Sequence, residues 1–91
     1  MSLVYRALTS LAIEKTLLNI GKPVYDKVVL ELDKKYRCYL PDCYDHPEYL
    51  DDVLKEIFGN AYVVIAKEIR KELEEFSDKE QVGRFIEVIS R

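Results

Sequence analysis

The chain has 91 residues, 48% hydrophobic and 34% charged, with a net charge of -3 and a pI near 5.2. That suffices for one domain with a modest core and no staples, but Lys and Arg are interleaved with Asp and Glu throughout, without the basic stripe that a nucleic-acid binder sets against phosphate. No apolar run approaches the about 18 residues of a membrane span, and the N-terminus lacks the pattern of a secretory signal, so we expect a cytoplasmic single domain over residues 1–91 that binds neither nucleic acid nor membrane.

Gly21 with Pro23, a Cys/Pro/Asp stretch, Gly59 with Asn60, and Ser77 with Asp78 divide the chain into pieces of helical length. The first, Leu3 to Ile20, places Val4, Leu8, Leu11 and Leu18 on one face, which Ala7, Ile13, Leu17 and Ile20 widen. Such breadth predicts a helix buried on two sides. Gly21 suits a left-handed C-terminal cap. The second piece opens with Pro23, well placed for a first turn, and carries Tyr25, Val28, Val29, Leu32 and Tyr36 at spacings of 3, 1, 3 and 4.

The third helix, Pro47 to Phe58, has Glu48, Asp51 and Asp52 near the positive end of its dipole and a stripe of Leu50, Val53, Leu54 and Ile57. The fourth, Ala61 to Phe76, has the cleanest pattern: Tyr62, Ile65, Ala66, Ile69, Leu73 and Phe76. Arg70 with Glu74, and Lys71 with Glu75, are expected as ion pairs on its wet face. The fifth, Asp78 to Ile89, starts from Ser77 or Asp78 as N-cap, with Ser77 and Glu80 at capping-box spacing, and turns Val82, Phe85, Ile86 and Ile89 inward. The fold class is therefore all-α, a compact bundle of about five helices with short loops.

One stretch stands apart. Residues 38–50 hold both cysteines, the only histidine, two of three prolines and three of seven tyrosines. Three readings are open. Cys38, Cys43 and His46 are zinc-compatible, with Asp42 or Asp45 as a further donor, but a structural zinc site usually wants four Cys or His ligands. Cys38 and Cys43 could close a disulfide loop around Pro41. Cytosolic disulfides are rare outside hyperthermophiles, and the chain's few side-chain amides (Asn19, Asn60 and Gln81) match a heat-adapted bias. The third reading, which we prefer, is a packed loop stiffened by Pro41 and Pro47, with its cysteines as small apolar groups.

Catalysis is not expected, because a Cys43–His46 pair lacks an evident orienting residue and oxyanion pocket. No glycine-rich loop cradles a phosphate, and no cofactor is indicated. Tyr39, Tyr44 and Tyr49 are candidates for an interaction surface, since tyrosine is enriched at protein interfaces. The competing expectation is that these rings complete the core beneath the loop.

The block Tyr36-Arg37-Cys38-Tyr39-Leu40-Pro41-Asp42-Cys43-Tyr44, continued by His46-Pro47-Glu48-Tyr49-Leu50, resembles a small archaeal family, the Nitrosopumilus output domain, type five. Ile13-Glu14-Lys15 with Leu18, Ile20 and Gly21, and the later Leu54-Lys55-Glu56-Ile57-Phe58-Gly59, also fit, so the resemblance covers about residues 10–91. It implies a helical module of archaeal signalling or regulation, alone or at the output end of a regulatory protein, and no catalytic residues. The expected function is a non-enzymatic interaction module for a protein partner or for itself as a homo-oligomer. The alternative is a small metal-binding or thiol-redox protein built on Cys38, Cys43 and His46.

Overall fold

Two helices, α1 (Leu3–Ile20) and α2 (Lys22–Tyr36), are joined by the single residue Gly21 in a computed structural model that describes residues 3–91. Gly21 does not take the left-handed cap conformation expected of it. Its φ of 155° and ψ of 150° lie in a region that side chains rarely enter. There its N–H bonds Leu17 O at 3.1 Å, closing α1, while its carbonyl accepts from Val24 at 3.2 Å and Tyr25 at 3.1 Å, opening α2. Pro23 sits in the first turn, where its missing N–H costs no helical bond.

After α2 comes a connector containing a 3-10 turn, Leu40–Tyr44; then α3 (Pro47–Phe58), a short 3-10 turn Gly59–Ala61, α4 (Tyr62–Leu73), another 3-10 turn Glu74–Phe76, and α5 (Glu80–Ile89). The chain is an all-α bundle with no strand among the described residues, and none of its described helices is long and apolar enough to cross a membrane. All five helices and the connector contribute to one core, whose largest buried side chains include Phe85, Ile13, Leu17, Leu32, Leu50 and Leu54.

In α2 to α5 the core faces largely follow the sequence pattern: Val28 and Leu32; Leu50, Val53 and Leu54; Ile65, Ala66, Ile69 and Leu73; Val82, Phe85 and Ile89. Two boundaries differ. The chain tightens to 3-10 geometry at Glu74, so α4 ends three residues before Phe76. This takes Glu74 and Glu75 out of register with Arg70 and Lys71, and Lys71 pairs with Glu68 instead, at 3.4 Å. The fifth helix begins at Glu80 with Lys79 as its N-cap; no side-chain cap forms, and the expected Ser77 capping box is absent. Ser77 lies in the preceding turn, and its carbonyl crosses α5 so closely that a Cβ on Gly83 would sit 2.9 Å from it. Glycine is what admits that crossing.

The largest departure is in α1. Its buried residues are Thr9, Ala12, Ile13, Thr16 and Leu17. Of the expected stripe, Val4, Leu11 and Leu18 face solvent and Leu8 is only partly covered. The helix turns its small residues inward, and Thr9, Ala12 and Thr16 leave room for neighbouring elements to approach closely. At 18 residues α1 is about 27 Å long by its rise, in a molecule whose longest extent is 31 Å.

Candidate functional site

The connector begins where α2 stops. Arg37 adopts a left-handed conformation (φ 52°, ψ 42°), the only described residue other than glycine with a positive φ. It donates its N–H to Asp33 O at 3.0 Å, and Cys38 follows with a longer bond to Leu32 O at 3.4 Å. The 3-10 turn is then fixed by reciprocal bonds: the Asp42 carboxylate accepts from Tyr39 N–H at 2.9 Å, and Asp42 N–H donates to Tyr39 O at 3.0 Å. Asp42 O in turn accepts from Asp45 and His46 N–H at 3.1 and 3.0 Å, which leads the chain into α3 at Pro47.

Within this frame the three proposed metal ligands part company. Cys38 and Cys43 are buried free thiols, and both Sγ atoms point at one acceptor, the Tyr39 carbonyl, at 3.7 and 3.9 Å. No disulfide joins them. Burial pushes both thiols up, Cys43 far above its ordinary range, so they stay protonated at neutral pH and are poor nucleophiles. The His46 side chain is half exposed; its ring stacks on Tyr49 with centroids 4.7 Å apart, and Nδ1 lies 3.5 Å from Glu48 Oε2. Among the described residues no group of three His, Cys, Asp or Glu is placed to hold a metal ion.

The tyrosines divide similarly. Tyr44 is 4% exposed and belongs to the core, so it offers no surface. Tyr49 is partly covered, sandwiched between His46 and the ring of Tyr36, from which its centroid lies 4.1 Å at 6°. Tyr36 in turn donates its hydroxyl to Asp52 at 2.6 Å, beside a 2.7 Å bond from Lys35 Nζ. Lys35 and then Tyr36 hold the Asp52 carboxyl below the usual carboxylate range. Only Tyr39, 67% exposed, is displayed, in a shallow cleft with Val29, Leu30 and Asp33 of α2.

A group that the sequence did not single out ties the connector to the rest. Arg6 of α1 donates to Asp42 at 2.8 Å and to Asp45, which also accepts from Gln81 of α5 at 3.3 Å. The guanidinium thus braces two carboxylates of one turn, the fork geometry that suits arginine. Spacing gives no hint of this pairing across more than thirty residues.

The feature most open to a partner lies elsewhere. The solvent side of α1 presents Leu3, Val4, Ala7, Leu11 and Leu18; the four larger ones are 76%, 64%, 56% and 44% exposed. Val4, Leu11 and Leu18 recur every seven residues, with Ala7 between the first two, which is the spacing of a coiled-coil seam. That heptad was legible in the sequence, but the same side chains also read as a core stripe. No protein-family model matches the chain, and neither a curated protein nor a solved structure is similar to it.

Proposed function

We propose that the chain is a non-enzymatic helical interaction module whose working surface is the outer side of α1. The observation that supports this reading is the bare seam itself. A helix that is apolar all round is ordinarily buried all round, and exposed apolar patches of a few hundred Å² commonly mark binding sites. Here the seam faces away from the core, to which the opposite side of α1 gives Ala12, Ile13 and Leu17. The displayed ring of Tyr39 with Leu30 is a smaller second patch on a different element pair. Regulation as the setting rests on the resemblance of the central block to the output-domain family.

The test is site-specific photo-cross-linking in cells that produce the full chain. A photoreactive residue at Leu11 should yield adducts, with another copy or another protein, that disappear when L18E is added. One at Tyr39 should yield far fewer. Adducts from Tyr39 with none from Leu11 would overturn the assignment to α1.

A further inference from the structure

Resting on that reading, we infer that the partner on α1 is a second copy of the same helix, packed antiparallel about a two-fold axis near Leu11. Three observations select this occupant. First, the seam is symmetric about its centre: Val4 and Leu18 each lie seven residues from Leu11. A two-fold axis there sets Leu11 against Leu11 of the other copy and Val4 against Leu18, while Ala7 and Leu3 fall against Lys15 and Asn19; the three heptad positions are covered on both chains, the isologous arrangement of a closed dimer.

Second, α1 carries few charges, and they bear on the pairing. Its only ionisable acid and base groups besides tyrosine are Arg6, Glu14 and Lys15. Arg6 is held by Asp42 and Asp45 and Lys15 pairs with Glu72 at 3.3 Å, while Glu14 keeps its charge and, among the described residues, accepts only from the neutral Tyr25 hydroxyl at 3.4 Å. The same charges choose the direction. A parallel pair would set Glu14 against Glu14 and Lys15 beside Lys15, whereas the antiparallel pair brings Glu14 near Leu8 and Lys15 near Ala7. Like charges directly apposed are a standard device against a wrong pairing.

Third, the area is sufficient. The exposed seam amounts to on the order of 500 Å² per chain, so two copies would bury ~1,000 Å², the lower bound for a specific interface. An interface of that size belongs with weak, reversible associations rather than obligate ones.

Sedimentation equilibrium of the purified chain, with cysteine cross-linking, tests the inference. The wild type should be dimeric at about 100 μM, and L11E, which places two carboxylates at the two-fold axis, should weaken association at least about 100-fold while its thermal melt, followed at concentrations where both chains are monomeric, is unchanged. L18E, which sets a carboxylate against Val4 of the other copy, gives the same reading at a second seam position should L11E fail to fold. Under mild oxidation L11C should link to itself, and in a mixture of V4C and L18C the two variants should link to each other. A wild type that stays monomeric at 100 μM, a dimer indifferent to both seam variants, or V4C linking mainly to V4C would each overturn the antiparallel pair. A monomer that still cross-links through Leu11 to a different protein would overturn the pair yet leave the interaction-module reading standing.

Discussion

The connector and α1 use unusual sequence in opposite ways. The connector concentrates the residue types that usually signal chemistry, and the fold spends almost all of them on itself: thiols on one carbonyl, a carboxylate on a backbone N–H, a tyrosine in the core, a histidine on a ring. α1 is plain aliphatic helix, and it leaves half of its apolar circumference to solvent. Rare residue types gathered in a short stretch mark a backbone that needs special support. A partner surface is better sought where apolar surface remains after the core is complete.

The sharpest way to break this contrast is to truncate one side chain in each region. Tyr44→Ala removes a buried ring and should cost about 3 kcal/mol, seen as a lower urea midpoint with an unchanged m-value. Leu11→Ala should fall within about 0.5 kcal/mol in dilute monomer. A Tyr44 variant as stable as the wild type would mean that the connector is not part of the core.

Arg6 joins the two regions, so its loss should be felt in the connector. Arg6→Ala leaves Asp42 and Asp45 facing each other with only Gln81 as a side-chain donor. All three charged side chains are partly exposed, at 26%, 38% and 39%, so solvent screening keeps the expected cost to about 1–2 kcal/mol. A double-mutant cycle with Asp42→Asn should show coupling that the exposed Lys22–Asp26 pair does not. Additive effects would demote the brace to a surface contact.

Thr9 tests the inner side of α1 in the opposite sense. Its hydroxyl is fully buried with no hydrogen-bond partner among the described residues. Thr9→Val keeps the shape and removes the orphan, and should raise stability by about 1 kcal/mol. A loss instead would show that the hydroxyl is satisfied in solution.

How far these regions could be read from sequence follows from periodicity. The bounds of α1 and α3 were legible because Gly21, Pro47 and Gly59 interrupt clear helical patterns. The inward side of α1 was not, because aliphatic residues surround the helix and size favours the wrong stripe. Only contact with the other elements selects Thr9, Ala12 and Thr16 as the inner row. In the connector, the Arg6 brace and the shared Tyr39 carbonyl are products of tertiary folding that no local spacing encodes.

The smallest effect expected concerns the connector's thiols and separates packing from redox chemistry. Burial raises the Cys43 thiol well above its ordinary pKa of about 8.5. Folding therefore holds the thiol neutral. Its contribution to stability is present in full below about pH 8.5 and is lost as pH rises further, because the unfolded chain then gains by releasing the proton. For Cys43 alone the loss should stay under about 1 kcal/mol at pH 9, visible as a fall in melting temperature between pH 8 and 9.5 that Cys43→Ala flattens. In the same range an aromatic disulfide reagent should modify Cys43 no faster than the protein unfolds. Rapid modification of the folded chain would instead place this thiol at a reactive surface and return the connector to the search for chemistry.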